Sequence, residues 1–137
     1  LPFRELEDAL MLGPLVGAMD KLILGLAGHT RQSGQTASWA ESFGRLSALS
    51  SGGRVLAYEA AGRLDRDRRG PDFPSLSFIF RNLARQFHEN AKEIMAAVGS
   101  DGRMDALFND FSLSLSFAKN VERLRYVKLG QAVLNPE

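Results

Sequence analysis

The sequence has no cysteine and only one tryptophan and two histidines among its 137 residues. Without cysteine, the chain has no disulfide, no thiolate nucleophile and no thiolate metal ligand. His29 and His88 are far apart, and neither is followed three or four residues later by a second metal-ligating side chain. We therefore expect no metal site. A chain without cysteine suits the reducing cytoplasm, which is the location we expect.

The chain also lacks a strong charge of either sign. Its 17 basic and 16 acidic residues leave a formal net charge of +1 at pH 7. No strong electrostatic field therefore draws it towards nucleic acid or an anionic membrane, and we expect neither as a partner. The longest apolar stretch, Met11 to Ala27, is interrupted by Asp20 and Lys21, so we expect no membrane-spanning segment.

Strand patterns are almost absent, and apolar residues instead recur at helical spacing in four segments. The spacing predicts helices from about Phe3 to Gly28, Ser38 to Arg66, Ser75 to Val98 and Asp105 to Leu134. The last segment is compatible with one long helix or with two that join near Ala118. Four long helices with short connections favour an all-α fold, an antiparallel up-down-up-down four-helix bundle formed by a single domain, 1–137.

The second predicted helix carries a seam of small residues, Ser50 to Gly53, in the middle of an apolar stripe. The stripe recurs at three- and four-residue spacing and consists of Leu46, Leu49, Gly53, Leu56, Ala60 and Leu64. Ser38 and Glu41 have the spacing of a capping box, which predicts the start of this helix. We expect close packing at the seam, either inside the bundle or between subunits.

Apolar residues also lie off that stripe, which predicts self-association. Phe43, Val55 and Tyr58 fall on a different side of the second helix from the stripe. One side can face the core, while the other can pack against a second copy of the chain. We therefore expect an oligomer that forms through this helix.

The first and third helices have stripes of their own. The predicted buried residues of the first are Leu6, Leu10, Gly13, Gly17, Ile23, Leu24 and Ala27. Those of the third are Phe80, Leu83, Ala84, Phe87, Ala91, Ile94, Met95 and Val98. Pro14 is expected to kink or divide the first helix. Gly28 and Gly34 are expected to break the chain after it, and the turn from Gly99 to Gly102 to end the third helix.

Several short motifs follow one another along nearly the whole chain. The clearest is Gly53 to Leu64, with the sequence GRVLAYEAAGRL. It is similar to the A-R-L-L-x-Y-R-A-A-x-L pattern in the C-terminal helical domain of acyl-CoA dehydrogenases. The other motifs are Glu7 to Met19, Thr30 to Gly34, Phe87 to Gly102, Asp105 to Asp110, and Arg125. In that order they resemble the domain's first helix, its R-x-x-F-G connection, its third helix with the Q-x-x-G-G-x-G turn, its E-R-L-x-R-D segment and its Q-R-L arginine.

The resemblance implies an FAD-dependent oxidoreductase that removes hydrogens from Cα and Cβ of an acyl-CoA. Members of the family have an N-terminal helical domain, a middle β domain that holds most of the flavin, and a C-terminal four-helix bundle through which they form dimers or tetramers. This chain begins with Leu1 rather than methionine and matches the bundle alone. We expect it to be the C-terminal domain of a longer flavoprotein and to be inactive by itself. The alternative is a non-catalytic assembly module derived from that domain.

In most members of the family, a glutamate before the last helix takes the α-proton, and Gly and Thr follow it. The matching residues here are Ala118, Lys119 and Asn120, so that base is missing. In the isovaleryl-CoA type the base lies on the first helix of the bundle, and the matching residue is Glu7. The resemblance thus implies Glu7 as the catalytic base, although Asp8 stands where an arginine normally follows. The alternative is an ordinary acidic residue in a first helical turn, favoured there by the helix dipole.

Members of the family also contact the FAD of a neighbouring subunit. They do so through the arginine of R-x-x-F-G and the glutamine of Q-x-x-G-G-x-G. In this chain Thr30 and Ala96 fall at those two positions. Ser33 and Ser100 replace the Phe of the first motif and the second Gly of the other. The half-site for a neighbour's flavin is therefore altered in both of its segments.

Four residues remain as candidates for flavin contact. Arg31 and Gln32 can offer a cation and an amide to a pyrophosphate, a role that suits arginine. Gly99 and Gly102 lie in the turn that matches the family's glycine-rich one. The alternative for Arg31 and Gln32 is a solvated loop, and the alternative for the two glycines is a helix stop.

Overall fold

The computed structural model describes residues 3–67, 70, 72–116 and 119–136, without the side chains of 3–10, 120 and 121. These described residues form five α-helices and no β-strand. The helices are α1 (Phe3–Gln32), α2 (Thr36–Asp65), α3 (Phe73–Val98), α4 (Gly102–Ser116) and α5 (Lys119–Leu134). The predicted all-α class is confirmed. The last predicted segment is divided between α4 and α5, and Ala118, the expected join, lies outside the described residues.

Helices α1, α2 and α3 each pack against the other two and enclose the core. Only residues 33–35 separate α1 from α2, so these two long neighbours run antiparallel. Gly53 of α2 faces Phe80 of α3. Arg63, nearer the end of α2, donates a hydrogen bond at 2.7 Å to Asp72, which directly precedes α3. The reversed order of these pairs shows that α2 and α3 are antiparallel as well.

Helices α4 and α5 follow α3 in the opposite direction. Nε2 of His88 lies 2.6 Å from Oγ of Ser112 in α4. The ring of Phe78, at an earlier position in α3, stacks on Tyr126 of α5 with centroids 4.5 Å apart. As the chain advances from residue 112 to residue 126, its contacts therefore move back along α3. Helix α4 also packs against α1, whereas α5 is attached mainly through α3.

The buried face of α1 differs from the one that periodicity predicts. Its buried residues are Leu12, Leu15, Val16, Met19, Leu22 and Leu26. By contrast, Gly13 and Gly17 are exposed, and Leu24 is 73% exposed. The prediction was wrong because α1 has apolar residues on all of its sides. Two stripes therefore satisfy the same spacing, and the fold buries the one with larger side chains. The other predicted residues are Ile23 and Ala27, which are partly buried, and Leu6 and Leu10, whose side chains lie outside the described part.

The predicted stripes of α2 and α3 do face the core. On α2, the buried members are Leu46, Gly53 and Ala60, and the partly buried ones are Leu49, Leu56 and Leu64. On α3, the buried members are Phe80, Ala84, Phe87, Ala91 and Ile94, and the partly buried ones are Leu83, Met95 and Val98. These stripes are confirmed because most other positions of the two helices are polar or small, so the spacing selects one face.

The small-residue seam of α2 lies against α3. A Cβ built at Gly53 would stand 3.1 Å from Cε2 of Phe80, and one at Gly52 would stand 3.3 Å from Cδ1 of Leu83. Both distances are shorter than an ordinary van der Waals contact, so a side chain at either position would require Phe80 or Leu83 to shift by a few tenths of an ångström. The expected close packing at the seam is therefore confirmed inside the fold.

The residues of α2 off the stripe divide between core and surface. Val55 and Tyr58 are 67% and 72% exposed, as expected for an outward side. Phe43 instead packs, partly buried, against the core, so it does not belong to that side. Helical spacing places the exposed Gly44 and Ala48 in line with Val55 and Tyr58. We call these four residues the outer α2 face.

Helix ends were predicted less well than helix faces. Gly28 does not break α1, which continues beyond it. The capping box at Ser38 is wrong, because α2 begins at Thr36 and Ser38 lies inside its first turn. The glycine turns are right: Gly34 and Gly99 have φ values of 73° and 85°, which glycine adopts without strain. Positive φ demands glycine, whereas several polar residues can start a helix, so the glycine signal is the stronger one.

Helix α1 is continuous through Pro14. Its part from Met11 to Gln32, 22 residues, is long and apolar enough to cross a membrane by length and composition. We expected no such segment, because Asp20 and Lys21 interrupt the apolar run. The core helix of a globular protein meets the same criterion. The buried face of α1 gives its apolar character a role inside the fold.

We expect Gly53→Leu to lower the free energy of unfolding by about 1–3 kcal/mol, because the new side chain would collide with the buried ring of Phe80. The matched control is Ala61→Leu, at an exposed position of the same helix outside the outer α2 face. The control should change the stability little, since alanine and leucine both have high helix propensity. Urea unfolding followed by circular dichroism measures both variants. Equal effects would contradict the close approach of α2 to α3.

Candidate functional site

The four predicted flavin contacts lie at one end of the helical assembly. They are Arg31, Gln32, Gly99 and Gly102, all exposed. Nε2 of His29, in the last turn of α1, lies 3.3 Å from Oδ2 of Asp101, in the turn between α3 and α4. This contact joins the two segments that carry the four residues. The structure therefore brings both parts of the predicted half-site to the same end.

The two glycines of this end have different roles in the backbone. The N–H of Gly99 donates to the carbonyl oxygen of Met95 at 2.9 Å, and its φ of 85° ends α3. Gly102 begins α4. Apart from chain neighbours and backbone of the same helix, no described residue would lie within 4 Å of a Cβ added at either glycine. Gly99 is thus a helix stop, and the space beside both glycines is open.

Asp101 places a carboxylate at this end. Its Oδ1 accepts the backbone N–H of Met104 at 2.8 Å, and its Oδ2 faces His29. The hydrogen bonds from Met104 and from His29 favour the ionised carboxylate and hold the pKa of Asp101 below its usual 3.8. The carboxylate thereby occupies the N-terminus of α4. An anion that approached this terminus would meet a negative charge already in place.

Arg31 and Gln32 present a cation and an amide to solvent at the end of α1. A guanidinium stays charged at any physiological pH and can bind two phosphate oxygens at once. Thr30, at the position of the family's arginine, is only 2% exposed, and its hydroxyl donates to the carbonyl oxygen of Leu26 at 2.8 Å. Thr30 therefore serves the fold, and Arg31 is the residue of this segment that can offer a cation to a ligand.

The predicted base, Glu7, lies in α1, and its side chain is outside the described part of the structure. At about 1.5 Å per residue, Glu7 and Arg31 are separated by roughly 36 Å of helix. One copy of the chain therefore does not bring them to a common site. The family resemblance implies such a separation, because the arginine reaches the flavin of a neighbouring subunit. Ala118, at the position of the family's usual base, lies outside the described residues.

A polar site that the sequence did not predict joins α3 to α4 around His88. Its Nε2 lies 2.6 Å from Oγ of Ser112, and its Nδ1 lies 3.5 Å from Oε1 of Glu89. The imidazole also stacks on the ring of Phe108 with centroids 4.6 Å apart. A serine, a histidine and a carboxylate in this order have the composition of a hydrolytic triad.

Two features argue against nucleophilic catalysis at Ser112. Its hydroxyl donates to the carbonyl oxygen of Phe108 at 2.9 Å, which engages its single proton. Ser112 and His88 also lie inside helices, where backbone N–H groups are bonded within the helix and cannot form an oxyanion hole. The contact is therefore polar packing that sets the register of α4 against α3. Sequence analysis missed it because residues 24 apart meet only when that register is known.

A third polar cluster links α1 to α2. Oδ1 of Asp20 accepts a hydrogen bond from Oγ of Ser50 at 2.5 Å, and its other carboxylate oxygen pairs with Arg54. Ser50 is only 2% exposed, so the carboxylate satisfies a hydroxyl that water does not reach. In the sequence, Asp20 is visible only as a charge within an apolar run. These contacts explain why a charged residue is tolerated in α1 beside the small-residue seam of α2.

Among the described residues, no group of three or more histidine, aspartate or glutamate side chains is positioned to hold a metal ion. No family model, no curated protein and no solved structure matches the chain. The resemblance to acyl-CoA dehydrogenases therefore rests on the sequence motifs alone and stays a prediction. The structure adds which of the residues that carry the resemblance lie near one another.

The lowered pKa of Asp101 leads to a prediction about acid stability. A carboxylate whose pKa is lower in the folded state than in the unfolded state stabilises the fold at pH values above its unfolded pKa, 3.8. This stabilisation is lost as the pH falls through the folded-state pKa. Asp101→Asn keeps an oxygen for the N–H of Met104 but removes the charge. We expect the stability difference between the wild type and this variant to persist down to about pH 5 and to shrink at lower pH.

Thermal unfolding at a series of pH values measures this difference. The matched control is Glu41→Gln, which removes an exposed carboxylate from α2. A difference between the wild type and Asp101→Asn that stays constant into strong acid would contradict the role given to the Asp101 carboxylate.

Proposed function

We propose that this chain is the C-terminal helical domain of an acyl-CoA dehydrogenase-like FAD oxidoreductase, which removes hydrogens from Cα and Cβ of an acyl-CoA. The order of the sequence motifs supports this proposal, together with one geometric observation. The contact between His29 and Asp101 joins the segment that carries Arg31 to the turn that carries Gly99. A flavin half-site made from those two segments requires them to be neighbours.

The proposal includes the architecture of that domain. Helices α4 and α5 together would be the fourth helix of an antiparallel four-helix bundle. In support, both run antiparallel to α3, as the fourth helix of an up-down-up-down bundle does. The short connection between α1 and α2 supports the same topology.

The residues of the chain have separate roles in this proposal. FAD, when bound, supplies the hydride acceptor. Arg31 and Gln32 would hold phosphate oxygens of a neighbouring subunit's cofactor, and the open space beside Gly99 and Gly102 would admit its pyrophosphate. Glu7 would accept the proton from Cα of the acyl-CoA. Without a β domain to hold the flavin, the isolated chain would be inactive, and we propose a cytoplasmic location for the whole protein.

The test uses the natural polypeptide that contains this chain. We expect the purified protein to absorb as a flavoprotein and its oxidised-flavin absorbance to bleach on addition of an acyl-CoA. Glu7→Gln should retain the flavin but lose the bleaching, because no base would take the α-proton. Glu41→Gln removes an exposed carboxylate from α2 and should leave both properties unchanged.

The possible outcomes separate the parts of the proposal. Bleaching that survives Glu7→Gln would contradict only the assignment of the base. A purified protein without flavin, or a coding region with a start codon directly before Leu1, would contradict the dehydrogenase and leave the assembly module.

Specific observations favour the assembly module as the second candidate. Thr30 is buried where the family has an arginine, and Ala96 stands where it has a glutamine. The carboxylate of Asp101 lies at the N-terminus of α4, where it would oppose a phosphate. Each of these features weakens a flavin contact and leaves the helices intact. A protein that had lost the chemistry would keep its surfaces for assembly.

Under either candidate we propose self-association through the outer α2 face. Val55 and Tyr58 offer large apolar side chains that are 67% and 72% exposed. Gly44 and Ala48, in line with them, would allow a second helix to approach closely. Together they form an apolar surface suited to a symmetric contact between two copies of α2.

Sedimentation at micromolar concentration tests this proposal. We expect the wild type to sediment as a dimer or larger, and Val55→Ser combined with Tyr58→Ser to sediment as a monomer, because the exposed apolar area is removed. Leu24→Ser, which changes a similarly exposed side chain on α1, is the control and should leave the oligomer intact. A monomeric wild type would contradict the proposal.

A further inference from the structure

One side of helix α5 carries its described contacts with α3. Glu122 is 4% exposed and accepts a hydrogen bond from Arg85 of α3 at 3.0 Å. The ring of Tyr126 stacks on Phe78, and its hydroxyl lies 3.3 Å from Nδ2 of Asn82. Since residues four apart share a side of a helix, these contacts fix the side of α5 that faces α3.

The opposite side of α5 is exposed and largely apolar. Leu124, Val127 and Leu134 are 61%, 47% and 79% exposed, and the fourth residue of this stripe, Gln131, is also exposed. The four residues follow one another at intervals of three, four and three. This is the spacing of the a and d positions in a coiled coil, with Leu124 and Gln131 at a. We call these four residues the α5 stripe.

The charges that flank the α5 stripe are basic. Arg123 and Lys128 take the g and e positions beside it, and both are exposed. Glu122, the one acidic residue in the sequence of α5, is held on the opposite side by Arg85. No acid of α5 therefore offsets the positive charge at the edges of the stripe.

A second copy of α5 does not fit this surface. In a parallel pair, position g of one helix meets position e of the other, so Arg123 would face Lys128. In an antiparallel pair that overlaps the stripe from end to end, e meets e, so Lys128 would face its own copy. Both arrangements bring like charges together, which opposes pairing.

We propose that the α5 stripe binds an amphipathic helix of another protein whose flanking positions carry aspartate or glutamate. Such a helix would cover Leu124, Val127 and Leu134 and pair its acids with Arg123 and Lys128. A polar residue opposite Gln131 would set the register, as buried polar residues at a positions do. An anionic bilayer would satisfy the charges too, but a glutamine within the stripe suits it less well.

The α5 stripe covers two heptads, so the complex is weak and depends on its charges. The test titrates the full 137-residue chain into labelled coiled-coil peptides with leucine at a and d, and with either glutamate or lysine at e and g. We expect the glutamate peptide to bind about tenfold or more tightly than the lysine peptide, with a difference that shrinks at high salt. Fluorescence anisotropy measures both affinities.

Variants of the chain locate the binding surface. Arg123→Glu combined with Lys128→Glu should reverse the peptide preference. Leu124→Ser combined with Val127→Ser should abolish binding at an unchanged melting temperature, because both side chains are exposed. The matched control is Leu24→Ser on α1, which should leave binding intact.

Three outcomes would overturn the proposal. They are failure of both peptides to bind, equal binding of the two peptides, and tighter binding to anionic phospholipid vesicles than to the glutamate peptide. The vesicle result would assign the surface to a membrane instead.

Discussion

The close approach of α2 and α3 at Gly53 is the contact on which the rest of the fold depends. The ring of Phe80, 1% exposed, fills the space that a side chain at Gly53 would need, and Val16 of α1 borders the same space. Three helices therefore meet at one point of the core, where packing tolerates little change in volume. Helices α4 and α5 contact α3, so their positions follow from this point. The position of the end that carries His29 and Asp101 follows from it as well.

The sequence predicts the architecture well where one helix face is distinctly more apolar than the rest. This holds for α2 and α3, whose stripes are confirmed. It fails for α1, because spacing alone does not distinguish a stripe with Gly13 and Gly17 from one with Met19 and Leu22. Side-chain volume decides between them, and volume matters only when neighbouring helices are present. Helix starts are poorly predicted for a related reason, since a cap such as Ser38 competes with equally plausible residues nearby.

The candidate site shows the same limit. Arg31 and Gly99 were selected by resemblance, and their neighbourhood depends on a contact between residues 72 apart. The pairs of His88 with Ser112 and of Asp20 with Ser50 were missed, since each joins two helices. Such pairs depend on the register of packed helices, and a difference of one residue would rotate a side chain by about 100° away from its partner. Local patterns carry no information about that register.

Three glycines of α1 affect how this helix is held in its ordered state. Within the described part of the chain, a Cβ added at Gly13, Gly17 or Gly28 would have open space around it, so no close neighbour there requires their small size. Each lowers the intrinsic helix propensity by about 1 kcal/mol relative to alanine, and Pro14 removes a backbone hydrogen bond. The local sequence of α1 is thus a weaker helix former than one with alanine at these positions, and burial against α2 and α3 contributes to its helicity. In this segment, helix formation and docking are therefore coupled.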